Sequence, residues 1–207
     1  MSDVLYKPQN AWEKATQKEQ IMAYCEGYKA FLNEGKTERK CVTQAVSMAE
    51  KAGFRPLESF DRLKAGDKVY IVNRKKSIVL AVIGSEPVRQ GINLVAAHID
   101  SPRLDLKPVP LFEEANLAYF KTHYYGGIKK YQWTTIPLAL YGTVVTQQGC
   151  IDVELGTEKD DYTFVITDLL PHLASDQMQK KLGQGIEGEH LNLLIGSIPA
   201  DVEKEKV

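Results

Sequence analysis

The chain is poor in the residues that usually announce a chemistry. Of 207 residues, three are cysteine and four are histidine. Cys25, Cys41 and Cys150 lie far apart and form no paired metal-ligand spacing, so they read as reduced thiols that pack as small apolar side chains. A reducing, cytoplasmic setting is the expectation. His-Glu-x-x-His is absent, and His123 and His190 have no partner at i, i+4 spacing, which excludes a helical zinc-binding motif. No stretch approaches the roughly 20 apolar residues of a membrane span. Residues 1–7 lack a basic region followed by an apolar run, so no signal peptide is expected. The formal net charge of −1 leaves little excess cation for neutralising nucleic-acid phosphates. Nucleic-acid and membrane partners are therefore not expected.

What is present is ordinary globular material, 43% hydrophobic and 26% charged, enough to bury a core without disulfides. Ile21, Tyr24, Cys25, Tyr28 and Leu32 recur at helical spacing and predict one apolar stripe, stopped at Gly35. Thr37 fits an N-cap, followed by a helix with Val42, Ala45, Val46 and Ala49 on one face and Gly53 at its end. Residues 68–73 and 77–83 read as a β-hairpin turned at Arg74-Lys75-Lys76. The nearly unbroken apolar run 92–97 predicts a strand covered on both faces, as in a central α/β sheet. Beyond Pro102 helical periodicity is weak. Strands are expected at 141–147, 151–153 and 163–166, with one helix over 169–179 and a charged surface tail over 199–207.

The stretch with chemical content is Ala97-His98-Ile99-Asp100-Ser101-Pro102. In extended backbone, residues i and i+2 face the same side. An imidazole so placed can offer one nitrogen to a metal while a carboxylate holds its other N–H. The same spacing also fits a strand end whose His and Asp are held by turn hydrogen bonds, and spacing alone leaves both readings open. Glu113-Glu114 pairs two carboxylates but reads as solvated surface. Tyr124-Tyr125-Gly126-Gly127 fits either a close backbone approach or a plain turn. Lys129, Lys130, Tyr131 and Trp133 interleave cations with aromatics, yet at this net charge they read as a solvated face. Gly183-Gln184-Gly185-Ile186-Glu187-Gly188 lacks the strand and the Lys-Ser/Thr of a phosphate loop and reads as surface.

Leu94-Val95-Ala96-Ala97-His98-Ile99-Asp100-Ser101-Pro102-Arg103-Leu104 resembles the segment carrying the first metal-binding histidine of the M18 aminopeptidases, the family of aspartyl aminopeptidase. Tyr125-Gly126-Gly127-Ile128 is similar to that family's glycine-rich segment, and Pro171-His172-Leu173-Ala174 to a segment of its second domain. The order is the same, and the likeness is strongest to bacterial members. The resemblance implies an exopeptidase with two zinc ions, peptide substrates, and homo-oligomers formed through a β-rich insertion domain. It implies His98 as a zinc ligand and Asp100 as the carboxylate that orients it. It leaves His172 as a metal ligand or a substrate contact, against the plainer reading of a helix-start residue with Leu169, Leu170 and Leu173 buried around it. Some members carry a further histidine at the position of Asp176.

The expected architecture is α/β: residues 1–101 as the N-terminal part of a sheet-and-helix catalytic domain of zinc-peptidase type, and 102–207 as an incomplete β-rich insertion domain. The family's bridging Asp, Glu pair, second Asp and distant His find no match here, so the chain by itself is expected to be inactive. A non-catalytic assembly or interaction module sharing this half of the fold is the competing reading.

Overall fold

The structure, a computed structural model, describes residues 8–198. The opening heptad and the tail 199–207 lie outside the described residues. The chain divides into two compact units, Met1–Asp100 and Ser101–Val207.

The first described element of this unit is a short helix α1 (Ala11–Lys14), capped by the Asn10 carboxamide oxygen, which accepts from Trp12 N–H at 3.0 Å. Helix α2 (Lys18–Glu34) ends where Gly35 N–H donates to the Phe31 carbonyl at 2.8 Å. Thr37 then caps α3 (Glu38–Lys51), its hydroxyl accepting from Lys40 N–H at 3.3 Å. Gly53, at φ 86°, closes α3. Its N–H donates to the Glu50 carbonyl and Phe54 N–H to the Ala49 carbonyl, both at 2.9 Å. These two bonds form a Schellman cap that only a residue tolerating the left-handed region accepts cheaply.

A three-stranded sheet follows in the order β1 (Arg55–Pro56), β2 (Lys68–Asn73), β3 (Ser77–Val82), with β2 and β3 a hairpin. Arg74 and Lys75 turn it, both at positive φ, the mirror-image geometry that matches strand twist. Helix α3 buries Cys41, Val42 and Ala49, and β2 buries Val69 and Tyr70. The Tyr70 hydroxyl donates to the Glu50 carboxylate at 2.8 Å, joining sheet to helix.

One expectation holds and one fails in this unit. Helix α2 forms with its stripe and stops at Gly35 as expected, and that stripe is exposed, none of the helix's residues being buried. Periodicity reported an apolar face, and among the described residues no element covers it. Residues 92–97 form no strand, and Val95 is 96% exposed. A strand exists only where neighbours accept its N–H and C=O groups, and none of the described strands pairs with this run.

The second unit is built on a long hairpin, β4 (Arg103–Glu114) and β5 (Leu117–Tyr125), extended by β8 (Leu193–Gly196) on the β5 side. Between Leu106 and Leu111 the register shifts, and Pro108 and Pro110 lie in that interruption. Proline brings no N–H to a ladder, so both are tolerated where pairing lapses. A second hairpin joins β6 (Leu140–Thr146) to β7 (Gly149–Leu155) through Gln147 and Gln148. The run 163–166 makes single bridges rather than a strand, Phe164 to Leu138 and Val165 to Leu194. It still carries the core: Phe164, Ile166, Leu191 and Leu193 cluster, with Phe120, Trp133 and Leu138 packed around them. The helix expected over 169–179 is shorter. A 3-10 turn (Pro171–Leu173) precedes α4 (Ser175–Gln179), then α5 (Leu182–Gly185).

The three cysteines are free, but only Cys41 is buried; Cys25 and Cys150 are exposed, contrary to the packing expected of all three. No helix among the described residues is long and apolar enough to cross a membrane.

Candidate metal centre

His98 sits in an extended segment without regular structure at the end of the first unit. Its side chain is 84% exposed, and its Nδ1 lies 3.0 Å from the Asp100 carbonyl oxygen and 3.3 Å from Asp100 Oδ1. Both partners are acceptors, so they select the tautomer that carries its proton on Nδ1. Nε2 then keeps its lone pair and faces solvent. That is the state in which a histidine binds a metal, with its second nitrogen tied to a carbonyl or carboxylate. The i, i+2 geometry expected of His98 and Asp100 is therefore present, although the segment is not a strand end, for want of neighbouring strands.

His172 belongs to the second unit, exposed in the 3-10 turn Pro171–Leu173. Leu169, Leu170 and Leu173 are exposed too, so they do not bury around its ring. Glu113 and Glu114 are exposed at the end of β4 beside the turn to β5, a solvated tip. His123 stacks on Tyr124 with ring centroids 5.6 Å apart.

Zinc needs three or four protein ligands. Among the described residues no group of three or more His, Cys, Asp or Glu side chains could hold a metal ion. The donors present fit one zinc ligand and its orienting carboxylate, and they do not close a coordination sphere.

Sequence reasoning missed two features of the second unit. The β4–β5 hairpin was hidden by Pro108 and Pro110, though Asn116 in its turn was a usable signal. A cavity bordered by Lys130, Lys180 and the 183–188 loop was also missed, because its walls come from segments distant in sequence.

Comparison with known proteins adds the family. The profile described as Aminopeptidase I zinc metalloprotease (M18) matches residues 31–206. A probable M18 family aminopeptidase 1 from Clostridium acetobutylicum is 48% identical over 212 residues, covering 99% of this chain and 46% of the relative. One from Borrelia garinii is 45% identical, covering 97% and 45%. Among solved structures, the M18 aminopeptidase of Thermotoga maritima matches with a TM-score of 0.89 at 41% identity, over 97% of this chain and 44% of that one. Aminopeptidase I from Clostridium acetobutylicum matches at 0.82 and 43% identity, over 98% and 46%. The chain spans a little under half the length of these relatives. With a profile match over most of its residues, and relatives of this identity along nearly all of it, the chain belongs to the M18 family of aminopeptidases.

Proposed function

We propose that this chain is the part of a zinc-dependent metallo-aminopeptidase that carries its first zinc ligand, His98, with Asp100 as the residue that orients it. One observation supports this above the rest: Nδ1 of His98 is held by Asp100 while Nε2 stands open to solvent. Peptides are the substrates, shortened by one residue at a time from the N-terminus. Zinc, two ions in the complete site, supplies a bound water whose pKa falls towards about 7 and polarises the scissile carbonyl.

The chain's own contribution is narrower. Asp100 holds the imidazole in one tautomer and one orientation, and its negative charge makes Nε2 a better donor. His172 is a further contact, to metal or substrate. One histidine cannot retain a catalytic ion, so these 207 residues alone are inactive. The β-rich residues 102–207 act as the insertion domain through which copies assemble into a homo-oligomer. Three free thiols suit a cytoplasmic, reducing setting.

The test joins this sequence to the remaining part of the Clostridium relative and measures metal content and release of N-terminal residues from peptides. His98→Ala should lose metal and activity together, and Asp100→Asn should weaken metal affinity by about 10–100-fold. A zinc-loaded chimera that binds its metal yet releases no N-terminal residue from any peptide would leave the non-catalytic module as the better reading. Unchanged metal affinity in His98→Ala would remove the ligand assignment.

A further inference from the structure

Two stretches that read as solvated surface from sequence, Lys129-Lys130 and the glycine-rich segment 183–188, come together in the second unit. With Lys180 they border a shallow, solvent-open depression of about 460 Å3, lined by Lys130, Gly183, Gln184, Glu187 and Gly188, with Ile186 as its apolar patch. Gly188 lies close against the sheet: a Cβ there would stand 2.7 Å from Tyr124 Cε1, so the ring would have to shift to admit it. Backbone therefore lies directly against the Tyr124 ring. Lys130 Nζ sits over the same ring, 5.9 Å from its centroid.

The charges around the cavity are unequal. Lys180 is engaged with Glu187 at 3.0 Å. Glu187 is the one carboxylate in the lining, and its carboxyl is held below the ordinary range by Lys180 first, then by His190 and Lys130. One anion thus answers two ammonium groups, and the half-buried ammonium of Lys130 rests on an aromatic face. A cationic group on a ring face, beside a glycine loop and an apolar patch, suits a ligand with a charged head and a small body.

We propose that this cavity binds a small oxyanion, a carboxylate or phosphate ligand, with Lys130 as its principal contact. The proposal is independent of the peptidase reading, since it concerns residues of the second unit alone. It also assigns a physical role to the loop. The walls come from the 3-10 turn Lys130–Gln132, α5, the 3-10 turn Gly188–His190 and the connecting residues Lys180, Ile186 and Glu187. A bound anion would tie them together and stabilise the unit by mass action.

The experiment uses the isotopically labelled 207-residue chain, titrated at fixed ionic strength with inorganic phosphate and, separately, with succinate. Saturable chemical-shift changes at the Gly183 and Gly188 amides are expected with at least one of them, and the tighter of the two names the ligand's head group. Lys130→Ala should weaken binding about tenfold, the loss of one charge-assisted hydrogen bond. Glu187→Gln should tighten it by releasing Lys180, and Lys129→Ala, on the exposed neighbour, should leave it unchanged. Lys130→Gln keeps the side chain's reach if the alanine variant loses its circular dichroism spectrum. Shifts that never saturate with either anion, a Lys130→Gln affinity equal to wild type, or an equal loss in Lys129→Ala would each overturn the proposal.

Discussion

Gly156→Ala should destabilise the second unit by about 2–5 kcal/mol, and the two contributions can be worked separately. Gly156 holds φ at 85°, in the left-handed region, where a side chain costs about 1–2 kcal/mol. The added methyl would also stand 2.9 Å from the Tyr162 carbonyl oxygen, 3.1 Å from Ala139 Cα and 3.1 Å from the Leu138 carbonyl oxygen. All three are backbone atoms, so no rotamer change relieves them, and overpacking of this kind costs about 1–3 kcal/mol. The strain falls where Leu138 bridges Phe164, at the edge of the core. Trp133 packs against that core, so urea unfolding followed by tryptophan fluorescence reads this unit; Trp12, exposed in α1, serves as a background signal. A stability loss below about 0.5 kcal/mol, the range of ordinary surface changes, would refute the claim that the close approach at Gly156 is obligatory.

Asp161 accepts backbone N–H bonds from Gly156, Tyr162 and Thr157, which lower its carboxyl below the usual carboxylate range. A lowered folded-state value means its contribution is present above the unfolded pKa of about 3.9 and is lost as pH falls through the folded one. Asp161→Asn should therefore flatten the loss of stability between neutral and acid pH, seen by comparing urea midpoints at several pH values. Thr37→Ala removes the cap of α3 and should cost about 1 kcal/mol, measured by urea unfolding under far-ultraviolet circular dichroism. Replacing Arg74-Lys75, both at positive φ, with Asn-Gly should stabilise the β2–β3 hairpin by about 1 kcal/mol, measured in the same way; no gain would argue that this turn is not of the mirror-image type.

Local rules were legible wherever the stabilising partner lay within a few residues. Thr37 and Gly53 announced the ends of α3, and both cap as their chemistry dictates, through bonds spanning three to five residues. The His98–Asp100 pair was legible for the same reason, since two positions of extended chain bring ring and carbonyl within 3.0 Å. Burial was less legible. The stripe on α2 and the run 92–97 are apolar in sequence and exposed in the structure, because composition states that a face can be covered without naming what covers it. The β4–β5 hairpin shows the converse: no strand was expected over these residues, and the ladder tolerates Pro108 and Pro110 by lapsing at that point.

From the sequence alone follow the capped helical pair, the β2–β3 hairpin, the contact between His98 and Asp100 and, through the motif around them, the family. Only tertiary structure decided that Phe164, Ile166, Leu191 and Leu193 make one core, and that Lys130 meets the 183–188 loop across Tyr124. The physical reason is range. Hydrogen bonds that close within a turn are encoded by adjacent residues, whereas a core or a cavity exists only after distant segments have been brought together.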